Sequence, residues 1–395
     1  MKSSHLEKLE ALVATGMPGA YKVLIFFLLQ ELYGLSLLGK VASWQSIAQI
    51  FGFFTAIGWC SLILVRVAKS DTEQGRVELF NSLLFMGSIT LAGFCILIML
   101  AGASFNRYGD ALEVIAWLCA WSFYQLPRHY WIAQRKYRQA LALDCSIILA
   151  SIVCLSVIPN ENISLSLAGC MLLSGVTSIA LLQRGVKLPT HKLGYDRKGI
   201  EYGMVNLLSG GVSLSLVPLA TYFSGSDFAG AVSLFIAISG IALLVPRALS
   251  LVQLPKIAQA VSKKEDIKTI TQKMQSQITI SNVATTALCL LIMFFVTYRY
   301  HVYLDAWQMA VCLSLITLQG TASTQALVYS NVLMSHEFSR SILLINAVSF
   351  LVFLSVGMAL YFVMVDYSFV YICAAAFVTA IYRLGKLKGK VEVWF

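Results

Sequence analysis

Runs of about twenty apolar residues recur from one end of this 395-residue chain to the other, and nothing else constrains its fold as strongly. Wound as a helix, a run of that length spans the hydrocarbon core of a bilayer. Hydrophobic residues make up 58% of the chain and charged residues only 12%, against about 25% charged in an average globular protein. So few charges could not present so much apolar surface to water. The sequence therefore predicts an all-α polytopic membrane protein with no segment long enough for a separate soluble domain.

The apolar runs place twelve spans at 10–32, 38–65, 79–101, 111–132, 141–158, 164–182, 200–223, 230–254, 276–297, 307–330, 341–364 and 368–383. Short cytoplasmic loops hold the excess Lys and Arg. With the N-terminus inside, the cytoplasmic segments collect 25 of the 29 basic residues, Arg128 and Arg383 among them. The outer loops hold Lys40, Arg107 and Arg299, and Lys22 lies within the first span. This predicts that both termini are cytoplasmic. The net charge of +10 then reports topology and not nucleic-acid binding.

The chain divides near its middle, where 186–199 is a charged linker containing Gly and Pro between 1–185 and 200–395. Similar short strings recur in equivalent spans of the two halves. Gly16-Met17 answers Gly203-Met204, Leu62-Ile-Leu-Val-Arg66 answers Val252-Gln-Leu-Pro-Lys256, and Cys95-Ile-Leu-Ile-Met answers Cys289-Leu-Leu-Ile-Met. Cys154-Leu-Ser-Val matches Phe353-Leu-Ser-Val. Six spans per half make the repeats parallel: two six-helix bundles around a central cleft. A further segment, Ser262-Lys-Lys-Glu265 with Ile267, Ile270, Met274 and Ile278 on one face, fits two readings. It is an amphipathic helix on the inner membrane surface, or a helical extension of the ninth span.

Nine cysteines lie mostly in apolar stretches without a CxxC pair, and the five histidines have no partner at i+4. They offer no metal site, and no cofactor is expected. Ser4 with Glu7 fits a capping box ahead of the first span, and the N-terminus lacks a signal-peptide core. His191-Lys-Leu-Gly-Tyr-Asp196 fits the spacing of an acyltransferase His/Asp pair. It stands in a short basic loop with no domain to build such a site, so no catalytic residue is assigned.

Lys22 is the most informative single residue. A Lys deep in a span costs about 2.5–3.5 kcal/mol on insertion scales and normally faces a watery interior. Gln30 and Tyr33 follow it at i+8 and i+11, and the second span carries Gln45, Gln49 and Gly52. These residues, with Asn206, are candidates for the cleft wall. The alternative for Lys22 is a snorkelling anchor at the inner headgroups. Arg247, after Pro246, lines the inner mouth or anchors its helix. Asn206, Asn346 and Gln319 are equally explained by interhelical hydrogen bonds. Glu31 and Asp144 are the carboxylates a coupling ion would need, unless they are merely solvated at span ends.

Several stretches resemble the polysaccharide flippases, or O-antigen translocases, of the multidrug/oligosaccharidyl-lipid/polysaccharide exporter superfamily. They are Glu31-Leu-Tyr-Gly34, Leu64-Val-Arg66 with Ala68, Gln125-Leu-Pro-Arg-His-Tyr-Trp-Ile-Ala-Gln-Arg135 and Leu254-Pro-Lys256. The resemblance implies movement of an undecaprenyl-diphosphate-linked oligosaccharide to the outer leaflet of a bacterial inner membrane. It also implies contact with membrane lipid and with the polymerase and chain-length regulator of the same pathway. A drug/cation antiporter of that superfamily is the nearest alternative, distinguished by acidic residues in its cleft. An O-antigen polymerase is disfavoured, because no outer loop is long enough to hold donor and acceptor.

Overall fold

The computed structural model describes residues 2–70, 72–159, 162–183, 196–242, 267–300, 305–335, 339–363 and 368–392. Their regular structure is helical, with no strand among them. Eleven α-helices follow in order: α1 (Lys2–Gly52), α2 (Gly58–Lys69), α3 (Glu73–Ser104), α4 (Tyr108–Ala133), α5 (Tyr137–Val157), α6 (Ile163–Leu182), α7 (Lys198–Ala242), α8 (Ile267–Tyr300), α9 (Ala306–Ser335), α10 (Ser339–Val363) and α11 (Ser368–Glu392). A single π-turn, Phe53–Ile57, joins α1 to α2. The first helix already includes Ser4, so that residue does not cap it.

Among the described residues, nine stretches are long and apolar enough to cross a membrane, and two of them, Val13–Leu64 and Lys198–Gly240, are double length. Each double stretch breaks at one glycine, Gly34 (φ 85°, ψ 172°) or Gly225 (φ 87°, ψ 168°). The loops expected near 33–37 and 224–229 are thus single-residue breaks. Nothing lies within 4 Å of a Cβ added at either glycine, so backbone conformation and not space requires them. This corner of φ/ψ space is essentially reserved for glycine and costs other residues about 1–3 kcal/mol. The matching dihedrals repeat the internal symmetry of the sequence in the backbone itself.

The chain forms two compact units, Met1–Gly210 and Gly211–Phe395, which divide within α7 at the Gly210–Gly211 pair. In the first unit α4 is central, touching α1, α2, α3, α5 and α6. It is polar for a span because its neighbours cover it. The indoles of Trp117 and Trp131 donate to Ser164 and Ser178 of α6 at 3.1 and 3.2 Å. Both pairs are 47 residues apart, so two helices in fixed register close both bonds.

The first turns of α7 lie against α2. A Cβ at Gly58 would collide with the Gly199 carbonyl, and one at Gly199 would meet the Trp59 ring at 2.5 Å. At the end of this seam Arg66 pairs with Asp196. Asp196 also accepts the backbone N–H of Lys198 at 2.9 Å. That bond first, then the Arg66 guanidinium, holds its carboxyl below the usual range. The partner of Asp196 is therefore Arg66, while His191 lies outside the described residues, as does most of the 186–199 linker.

In the second unit α9 packs against α8, α10 and α11. Thr324 donates to Asn282 Oδ1 at 2.8 Å, while Asn282 Nδ2 reaches Gln325 at 3.2 Å and Gln319 reaches Ser213 of α7 at 3.1 Å. The interhelical reading of Gln319 holds. Asn346 is buried with Oδ1 unbonded. The segment from Ile267 continues unbroken to Tyr300, with Met274 and Ile278 buried beside Tyr329, Leu333 and Leu387. From Ile267 onward the extension of the ninth span is the reading observed, while Ser262–Glu265 lies outside the described residues.

Candidate functional site

Pro18 begins the site. A proline inside a helix has no N–H for the carbonyl four residues earlier, which here belongs to Ala14. That freed carbonyl accepts from Arg128 Nη2. Arg128 Nε donates to both carboxylate oxygens of Asp144, at 3.1 and 3.2 Å. The Tyr124 hydroxyl donates to the same carboxylate at 2.6 Å. Arg128 and Asp144 are 5% and 2% exposed. One ion pair, completed by a tyrosine and a backbone carbonyl, thus ties α1, α4 and α5 together.

This corrects two expectations. Arg128 is a buried residue of α4 and not a cytoplasmic loop cation. Asp144 is not solvated at a span end, because its charge is met by Arg128. Arg383 is likewise buried within α11, 8% exposed, and not free in the tail. Removing both from the basic count leaves 23 residues in the segments expected to be cytoplasmic against three in those expected to be outside.

Next to this ion pair the first unit holds a partly open cavity of about 210 Å³. Its wall is formed by Pro18, Gly19, Tyr21 and Lys22 of α1, Gln45 and Gln49 beyond the Gly34 break, Trp121 and Tyr124 of α4, Asp144 and Ile147 of α5, and Met171 of α6. Four sequence candidates, Lys22, Gln45, Gln49 and Asp144, therefore meet at one place. Lys22 is partly buried, its Nζ 5.2 Å from the centre of the Phe26 ring. No carboxylate pairs with it among the described residues. Twelve helical residues separate it from Gly34, which is about 18 Å at 1.5 Å per residue. Towards the N-terminal end, where a snorkelling anchor would reach the headgroups, Lys22 lies nine residues, about 14 Å, past the start of the apolar stretch at Val13. Gln45 Oε1 and Trp121 Nε1 are buried without a hydrogen-bond partner.

The remaining candidates lie elsewhere. Tyr33 donates to the carbonyls of Leu155 and Ile158, at 2.8 and 3.0 Å, closing the end of α5. Gln30 is buried with Oε1 unbonded, away from the cavity wall. Glu31 is exposed. Asn206 donates to Tyr202 of its own helix at 2.8 Å. Arg247 lies outside the described residues. The sequence reading missed Tyr21, Trp121, Tyr124 and Arg128. The signal for Arg128 was present, because an Arg and an Asp in consecutive predicted spans can satisfy one another.

By sequence the chain matches no protein-family model and no curated protein. Solved structures match over nearly its whole length. An inward-facing multidrug resistance MATE family transporter of the MOP superfamily superimposes with a TM-score of 0.69 at 12% identity, covering 97% of this chain and 98% of its own. The lipid II flippase MurJ in an inward closed conformation gives 0.71 at 11% identity, covering 96% and 87%. The chain shares the fold of these two membrane proteins. A third such protein, a MOP superfamily transporter from Pyrococcus furiosus for which reverse polarity of the binding pocket suggests a different function, gives 0.60 at 12% identity, covering 98% and 94%.

Proposed function

We propose that this chain is a flippase. It carries an undecaprenyl-diphosphate-linked oligosaccharide from the cytoplasmic to the outer leaflet of a bacterial inner membrane by alternating access, for assembly of a surface polysaccharide. The carrying observation is Lys22, a cation without an acidic partner among the described residues, on the wall of a cavity deep within a span. A membrane protein keeps such a charge where an anion or water meets it. The spare charge on this wall is positive, because Asp144 is neutralised by Arg128. That polarity disfavours a cationic drug and suits an anionic glycan headgroup. The likeness to a lipid II flippase supports a lipid-linked cargo, and the charge asymmetry supports cytoplasmic termini. On this reading the polymerase and chain-length regulator of the pathway act on the product, and Arg247 and Asn206 remain candidate contacts along the route.

Deleting the gene is expected to abolish surface display of the polysaccharide while lipid-linked repeat units accumulate on the inner face of the membrane. Unpolymerised units reaching the outer face would indicate a polymerase. Unchanged polysaccharide with increased sensitivity to cationic drugs would indicate an antiporter.

A further inference from the structure

The cavity in the first unit is too small for the whole headgroup of such a cargo. Its volume of about 210 Å³ falls below the roughly 300–1,000 Å³ of pockets that enclose drug-sized ligands. A partly open cavity of that size takes about one ring, and the remaining rings and the diphosphate would lie outside it.

Charge narrows the occupant further. Arg128 is committed to Asp144 and to the Ala14 carbonyl, so Lys22 is the cation left to meet a ligand. One cation balances one negative charge, whereas a diphosphate carries more. The neutral lining is mixed in character. Gln45 and Gln49 have amides that both donate and accept, which suits hydroxyl groups acting in either sense. Trp121 and Tyr124 bring flat aromatic bodies with polar edges, and Gln45 Oε1 has no partner in the protein. Amides, aromatic faces and a single ammonium together fit a polyhydroxylated ring better than a bare inorganic anion. We infer that the cavity is a subsite for one sugar ring bearing a single carboxylate. This rests on the glycan-carrier reading and deepens it: recognition is of one acidic sugar within the cargo, separate from any contact with the diphosphate.

The test is saturation-transfer NMR on purified protein, with free glucuronate, glucose and inorganic phosphate through the millimolar range. Glucuronate is expected to bind. Lys22→Met should weaken binding at least tenfold, and Lys22→Arg should retain most of it with an unchanged melting profile, which separates loss of charge from loss of fold. Phosphate at equal concentration should leave glucuronate bound, and glucose should bind more weakly. Absence of glucuronate binding, binding equal to that of glucose, full retention in Lys22→Met, or displacement by phosphate would each overturn the subsite. The carrier reading is tested apart from this: glucuronate binding with unchanged polysaccharide display after gene deletion would leave the subsite standing and remove the carrier.

Discussion

Arg128→Met should be among the most destabilising single substitutions in the chain. It strands the Asp144 carboxylate in a buried site and leaves the Ala14 carbonyl, already released by Pro18, without its donor. Breaking a buried pair by removing one partner typically costs about 3–5 kcal/mol. In detergent the apparent melting temperature should fall by about 10 °C, taking roughly 2–4 °C per kcal/mol for a unit of this size. Adding Asp144→Asn should recover most of the loss, because the amide oxygen still accepts from Tyr124 and no lone charge remains. If the double variant melts no higher than Arg128→Met, the pair is not the source of the effect.

The second large effect is expected at the seam between α2 and α7. A leucine at position 199 must displace the Trp59 ring, which already lies 2.5 Å from the nearest Cβ position, and the Gly58 backbone leaves no room to retreat. Overpacking of this kind costs about 1–3 kcal/mol, occasionally more. Here it should lift the first turns of α7 away from α2. Cys60, 1% exposed beside Trp59, then becomes the reporter. Gly199→Leu should raise its maleimide labelling at least tenfold, measured by peptide mapping, while Gly199→Ala gives a smaller rise. Acid should act in the same direction. The Asp196 carboxyl is held below its ordinary range, so its contribution is present at neutral pH and is lost as pH falls through that lowered range. Labelling of Cys60 that stays unchanged in Gly199→Leu would show that the seam gives way elsewhere.

Hydropathy made the spans legible, because length and apolarity are what a bilayer selects for. It could not reveal how spans are joined. Tyr33–Leu37 reads as a short loop, yet a single glycine turns the chain there, and only dihedral angles distinguish the two. The cavity wall was partly legible for a related reason. Lys22, Gln45 and Gln49 are conspicuous because each is polar within an apolar run. Trp121, Tyr124 and Tyr21 are not, since aromatic residues are equally at home in a core. Arg128 and Arg383 were misplaced because a count of positive charge assumes that cations near span ends face water. A buried partner overrides that assumption for Arg128, and the carbonyl freed by Pro18 becomes visible only once α1 and α4 are seen in contact.

The central claim is that the Lys22 charge engages an anionic cargo, and a comparison of two substitutions at that position tests it most directly. Lys22→Arg keeps the charge with different geometry and hydration. Lys22→Met keeps much of the length without charge, and it also removes the cost of about 2.5–3.5 kcal/mol of placing a cation in a span, so it should not impair insertion. Polysaccharide display would be measured in a gene-deleted strain complemented with each variant at equal membrane abundance. The Arg variant should retain substantial display and the Met variant should lose most of it. Full display by the Met variant would contradict the account, because Lys22 would then be a charge that the cargo never meets.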